Sequence, residues 1–406
     1  MNPPSSTRPG IPLPGANLLA VMLAGLAMIG PFAIDTYLPA FPNIEATLGA
    51  SSIEVQQTLS IYMLSFAVMI LWHGALSDTF GRRNVILALL AVFAVASLGC
   101  AAAHSIEYLW AFRILQGVSA GAGVVIGRAI IRDVYQGAEA ARLLSLVTMI
   151  FSIAPAIAPI IGGQIVKWMN WRAIFLFLFV YTALLLWLCW RRLPETLPAD
   201  KRRPFNMREL AANYRQILCS RLFHLKAGTI AVNFAGLFLY ISSAPVFITR
   251  HLGLGPSEFG WLFVPFVCGI FSGAFIANRL AGRITVQRQV AIGFVFLIGA
   301  AAFNTLYHVF LPPALPWSVL PMFFYTFGMS VVAPAVTLLV LDLFPAIRGT
   351  VASCQSFVQT ILGAIVAGMI APVVSQSVLT LAAGQLAFAV IGLVLWRAGY
   401  RLHART

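Results

Sequence analysis

Apolar residues arrive along this chain in long runs separated by short polar breaks, and the runs recur twelve times. Each is roughly twenty residues long, the length a helix needs to cross about 30 Å of hydrocarbon. They fall at 17–40, 55–76, 84–103, 107–131, 142–166, 172–190, 224–247, 258–280, 288–309, 316–340, 351–373 and 379–397. An even number of crossings puts both chain ends on one side. The longest polar stretch, 191–223, lies in the middle and divides the spans six and six. It reads as a linker with an amphipathic helix near Asn206–Leu218. The pattern therefore predicts an all-α membrane protein with a disordered tail (1–16), a first six-helix bundle (17–190), a linker (191–223) and a second six-helix bundle (224–406). The two bundles are read as pseudo-symmetric repeats around a central cavity.

Composition agrees. Only 9% of the 406 residues are charged and 60% are hydrophobic, against about 25% charged in a soluble domain. The net charge of +14 does not point to nucleic acid, because it is confined to short loops between apolar runs. Of the 26 lysines and arginines, only Lys167, Arg172 and Arg250 fall on the face opposite the chain ends, and Arg113 falls inside a span. The remaining 22 flank the face that holds both ends, which the positive-inside rule makes cytoplasmic. The proline-rich start lacks a small-residue cleavage site after a short apolar core, so it does not read as a signal peptide. The five cysteines (Cys100, Cys189, Cys219, Cys268, Cys354) show no metal-ligand spacing and no reason to pair.

The most informative stretch is Gly74-Ala75-Leu76-Ser77-Asp78-Thr79-Phe80-Gly81-Arg82-Arg83. Gly74 and Gly81 suit a tight turn between spans, and Arg82 and Arg83 are expected at the water interface. Asp78 would face the negative end of its own helix dipole and so needs a partner. The backbone N–H groups that open helix 11, after Arg348-Gly349-Thr350, suit an anion; Arg82, Arg83 and Arg142 are charge partners of the right sign. A solvated loop aspartate is the bland alternative. The combination resembles the loop signature of the major facilitator superfamily of secondary transporters. A degenerate second copy, Asn278-Arg279-Leu280-Ala281-Gly282-Arg283, follows span 8.

Asp35 is the only acid within helix 1, and Arg113 the only base well inside a span. A charge at the bilayer centre costs about 2.5–3.5 kcal/mol on insertion scales, so both are expected to face protein or water. Asp35 is late in helix 1 and Arg113 early in the antiparallel helix 4, which places them at similar depth and suggests a direct or water-bridged pair. Desolvation favours the neutral carboxyl and a nearby guanidinium the charged one, so Asp35 is the candidate for a coupling proton. An interfacial aspartate and a helix-bracing arginine remain the alternatives.

Arg113-Ile114-Leu115-Gln116-Gly117 with the small residues after it resembles the superfamily's helix 4 motif. Pro155, Pro159, Gly162 and Gly163 on helix 5 resemble the motif of its exporter branch, with Ala158 where glycine is usual. Ile34 to Ala40, Arg128-Ala129-Ile130-Ile131-Arg132-Asp133, Trp171 to Phe175 and Leu193-Pro194-Glu195-Thr196-Leu197 look like the Bcr/CflA branch of drug:proton antiporters, linked to bicyclomycin and chloramphenicol resistance. That resemblance implies a monomeric exporter of small amphipathic compounds in a bacterial inner membrane, with lipid, substrate and protons as its partners. It implies no metal or cofactor, only the proton gradient. Tyr62, Gln116, Asn233, Tyr240, Tyr325, Gln355 and Gln359 are polar or amphipathic positions in apolar helices, named as cavity candidates. His104, His251, His308 and His73 read as interfacial. An importer or exporter of a metabolite shares every fold feature. An enzyme is disfavoured because no H-E-x-x-H, G-x-S-x-G or phosphate loop occurs.

Overall fold

The computed structural model describes residues 14–202 and 204–403, so most of the expected tail lies outside the described residues. Among the described residues twelve helices are long and apolar enough to cross a bilayer: α1 (Ala16–Leu48), α2 (Ser52–Phe80), α3 (Arg82–Ala101), α4 (Ile106–Val134), α5 (Arg142–Trp168), α6 (Arg172–Arg192), α7 (Arg221–His251), α8 (Pro256–Leu280), α9 (Val286–Phe310), α10 (Leu320–Leu341), α11 (Pro345–Val374) and α12 (Val378–Leu402). No strand occurs among the described residues.

The packing repeats itself. In the first half α2 lies on α4, α3 on α4 and α6, and α1 on α4, α5 and α6. In the second half α8 lies on α10, α9 on α10 and α12, and α7 on α10, α11 and α12. Adding six to each helix number converts one set into the other, so the protein is two six-helix bundles related by pseudo-symmetry. Even the seams between them obey the rule, since α2 packs on α11 and α5 on α8.

Several boundaries differ from the apolar pattern. The stretch 74–83 is not a loop: α2 stays helical through Phe80 and Gly81 alone makes the turn into α3. Gly74 is therefore a helical residue, in ordinary contact with Val125, and not part of the turn. Helix α4 runs on to Val134, which draws Arg128 inside a span. The linking segment holds a helix over Met207–Leu218, as expected; the Asn206 side chain accepts from the N–H groups of Arg208 and Glu209, both at 3.1 Å, which satisfies donors that a helix start leaves free.

The halves meet on the face opposite the chain ends, called here the far face. Three donors on one side of α2 reach backbone carbonyls of the second half: Gln56 to Ser242 (3.3 Å), Gln57 to Gly368 (2.8 Å) and Ser60 to Ala364 (2.8 Å). Gly368 belongs to a π-helical turn, Val366–Ile370. The other seam is a backbone crossing. A Cβ on Gly163 would overlap the carbonyl oxygen of Pro256 at the start of α8, and one on Gly162 would overlap that of Thr36 in α1. Toward the terminal face α2 and α11 separate around a cavity of about 430 Å³, lined by Asp78, Arg82, Asp133, Tyr214, Gly349 and Thr350 among others.

Gly163→Val should therefore prise the far-face seam apart, because the backbone on the other side cannot yield. In a cysteine-free background carrying Ser60→Cys, a membrane-impermeant maleimide should label position 60 faster in this variant. Gly299→Val, where a Cβ would meet nothing within 4 Å, should leave labelling unchanged.

Candidate functional site

Helix α1 breaks where its sequence requires. Pro39 has no N–H, so the carbonyl of Asp35 loses its helical donor, and the first helical segment stops at Asp35. Thr36 N–H still reaches Phe32, but Tyr37 N–H turns to Ile34, which strands the carbonyl of Ala33. Arg113 takes that carbonyl. Its Nη1 donates to Ala33 O at 3.0 Å and to Gln116 Oε1 at 2.9 Å, and its Nε lies 3.5 Å from Thr58 O. A guanidinium at a helix C-terminus complements the partial negative charge of unpaired carbonyls.

The guanidinium carbon sits 4.8 Å from the Tyr37 ring centroid and 4.3 Å from that of Tyr62, with a cation–π contact to each ring. Gln116 passes the chain on, donating to Ser97 Oγ at 2.9 Å, which donates to Phe93 O at 2.8 Å. Thr58 Oγ1 donates to Val55 O, so the Tyr37 hydroxyl, 2.9 Å away, donates to Thr58. Arg113, Tyr37, Tyr62, Gln116, Ser97 and Thr58 are all 0% exposed. This is a sealed polar core inside the first half, and it makes Arg113 a brace across the α1 break.

The expected Asp35–Arg113 pair does not form. Among the described residues no ion pair within 4.0 Å includes Asp35. Asp35 is 5% exposed; the hydroxyl of Tyr62 and Nη2 of Arg113 have no hydrogen-bond partner. Acid and guanidinium thus stay apart, each buried in the first half. Glycine at 162 lets α5 touch Thr36, the residue after Asp35, while Pro155 and Pro159 lie in the segment Ala154–Trp168 that restarts α5 after a break at Ser152 and Ile153.

At the terminal face Arg82 does not snorkel as expected, whereas Arg83 stays partly exposed. Arg82 is 7% exposed, paired with Asp78 four residues earlier and with Asp133 at 3.1 Å, and bonded to Ser77 Oγ at 2.6 Å. Arg83 donates to Trp190 O at 2.8 Å. Asp78 is not docked on α11; Gly349 and Thr350 face it across the terminal-face cavity. The unforeseen member is Glu195. Its carboxylate accepts from the N–H groups of Arg82 (2.9 Å), Arg83 (3.3 Å) and Leu197 (3.0 Å), an anion on the free N-terminus of α3. Gly81 permits this doubly: its φ of 94° and ψ of 149° suit only glycine, and a Cβ there would overlap Glu195. Thr196 adds a 3.4 Å bond to Asp133. Tyr214, on the linking helix, donates to Leu71 O; burial pushes its phenol up from the usual range, so it stays a donor.

The remaining candidates scatter. Tyr240 accepts from Asn304 at 2.6 Å and Tyr325 donates to Asn233 O at 3.0 Å; both rings are 0% exposed and hold the second half together. Asn233, Gln355 and Gln359 share a separate cavity. His73 is fully buried rather than interfacial, its Nε2 3.0 Å from Val118 O. Among the described residues no three His, Cys, Asp or Glu side chains form a metal site.

Removing the Glu195 charge with Glu195→Gln should cost about 1 kcal/mol of stability, and Gly81→Ala about 2 kcal/mol through backbone strain alone. Thermal unfolding of the purified protein in detergent should rank them in that order.

The comparisons with known proteins fit this arrangement. The family model described as Major Facilitator Superfamily matches residues 22–368. The chain is 34% identical over 355 residues to the uncharacterized MFS-type transporter YdgK of Bacillus subtilis, covering 87% of this chain and 88% of that protein. It is 28% identical over 284 residues to a bicyclomycin resistance protein homolog of Haemophilus influenzae, covering 70% of this chain and 71% of that one. In fold it is similar to the human organic anion transporter MFSD10, with a TM-score of 0.69 at 20% identity over 95% of this chain and 100% of that one. The chain belongs to the major facilitator superfamily, and it is a membrane transporter.

Proposed function

We propose that the protein is a proton-driven exporter of small amphipathic compounds, in the Bcr/CflA branch of its superfamily, working as a monomer in a bacterial inner membrane with both termini in the cytoplasm. The observation that carries this reading is Asp35, an acid 5% exposed and without a counter-ion, at the break of α1. A buried charge with no partner is costly, and gaining or losing a proton there shifts the balance between two packings of the halves. The likeness to a bicyclomycin resistance homolog supports a drug as cargo. The surplus of lysine and arginine on the terminal face supports the orientation.

In this proposal Asp78 is the latch of the opposite state. In the present arrangement it holds Arg82 across a single turn. Closing the terminal-face cavity would bring the N-terminus of α11, at Gly349 and Thr350, onto the same carboxylate. The junction of Glu195, Arg82 and Asp133 keeps the turn rigid, so that α2 and α3 move as one piece.

Two measurements test this. In inverted membrane vesicles with an imposed pH gradient, wild-type protein should accumulate chloramphenicol or a similar drug, and Asp35→Asn should accumulate no more than vesicles lacking the protein. Drug exchange without a gradient should persist in that variant; unchanged uphill accumulation would overturn the role of Asp35. Asp78→Asn should leave protein in the membrane but slow transport by roughly tenfold, the factor that about 1.4 kcal/mol of lost latch energy gives, whereas wild-type turnover would overturn the latch.

A further inference from the structure

The second half carries a cavity of about 150 Å³ between α7, α10 and α11, lined by Asn233, Thr337, Gln355 and Gln359 together with Phe234 and Met329 among others. No charged side chain lines it. Asn233 is 1% exposed, yet neither atom of its amide has a hydrogen-bond partner. Its Oδ1 rests where a Cβ on Gly392 of α12 would be, so the helix beside it leaves room for the amide without bonding to it. Gln355 gives Nε2 to Thr337 Oγ1 at 3.1 Å and leaves Oε1 unpaired. Gln359 lies one helical turn further along the same face of α11. Buried polar groups in native proteins are nearly always paired, and here two side chains that line one cavity hold unpaired amide atoms that are closed off in this arrangement and open to a partner only when the cavity widens.

We infer that this cavity is a subsite for an uncharged hydrogen-bonding group, an amide or a hydroxyl, on the transported compound. This deepens the export reading and rests on it. An amide offers both donors and acceptors, so Asn233 and the two glutamines can pair with a neutral amide or alcohol in either sense. A cation would lose its water without gaining a counter-charge, because no carboxylate faces the space. The walls of Phe234 and Met329 suit the apolar part of an amphipathic molecule. The volume accommodates one end of such a molecule, and the rest extends toward the other half. Phe234 marks that direction, since it packs near Gly363, against which Met63 of α2 also lies. The first half, with Asp35 buried and unpaired, offers proton chemistry; the second offers neutral recognition.

The test uses two probes of similar size on purified protein: chloramphenicol, which is neutral and carries an amide and hydroxyls, and tetraphenylphosphonium, a cation with no hydrogen-bonding group. Gln359→Met and Gln355→Met keep volume and remove the amides. Each should weaken chloramphenicol binding by roughly tenfold, the scale of a lost buried hydrogen bond, and leave tetraphenylphosphonium within about twofold. Asn233→Ala, on a different helix, repeats the measurement should a methionine variant fail to fold. Equal losses for both probes, or an unchanged affinity for chloramphenicol, would overturn the inference. Wild-type protein that exports the cation but does not bind chloramphenicol also overturns it and leaves the export reading standing. Wild-type protein that binds chloramphenicol through these amides yet moves neither probe against a proton gradient overturns the export reading alone.

Discussion

A guanidinium folded between two phenol rings holds the first half of this transporter in shape. Arg113 is expensive to bury, and it is stable where it is because three separate demands meet on it. The broken end of α1 needs a donor for Ala33 O, the rings of Tyr37 and Tyr62 need a cation or an apolar neighbour, and Gln116 needs a donor for its oxygen. Each of these comes from a different part of the chain, so α1, α2 and α4 are fixed relative to one another by one side chain. With the arginine spent in this way, Asp35 is left without a counter-ion, although it ends the helical segment that Arg113 caps. A bracing cation and a lone acid at one helix break are two sides of one arrangement.

The junction at the terminal face follows a similar economy with opposite sign. There an acid from the linking segment, Glu195, meets the free N–H groups of α3, and an acid from α4, Asp133, meets Arg82 of the turn. Backbone geometry at Gly81 makes the meeting feasible. The result is a small rigid block of α2, α3, α4 and the start of the linker, set beside a cavity that the linking helix partly covers with Tyr214. The turn between α2 and α3 is thus held by packed and charge-paired elements and is no free loop.

The twelve spans and the six-plus-six division were legible because bilayer thickness imposes a length on every apolar run, and no tertiary detail can erase that. The linking helix was legible for a similar local reason. The pairing of Asp35 with Arg113 was not: run positions place two residues at one depth on adjoining helices, but they do not say which way a side chain turns. The rotation of Arg113 was decided by the orphaned carbonyl of Ala33, a consequence of Pro39 that appears only when backbone donors are counted. Glu195 escaped notice because its partners lie 112 and 113 residues earlier, and only the fold brings them together. Its signal was present in Leu193-Pro194-Glu195-Thr196-Leu197, where an acid follows a proline at a helix end. Amphipathicity alone could not separate Tyr62 and Gln116, which sit in the sealed core around Arg113, or Tyr240 and Tyr325, which tie helices together, from Asn233, Gln355 and Gln359, which line a cavity.

The far-face seam places donors and acceptors on different kinds of atoms. Gln56, Gln57 and Ser60 of α2 contribute side chains, whereas Ser242, Ala364 and Gly368 contribute only peptide carbonyls. Side-chain replacement cannot delete a carbonyl, so on α7 and α11 the seam constrains room more than chemistry: Gly368 and Gly363 must stay small where Ser60 and Met63 press on them. Heritable change in the donors of this seam is therefore concentrated at three positions of a single helix.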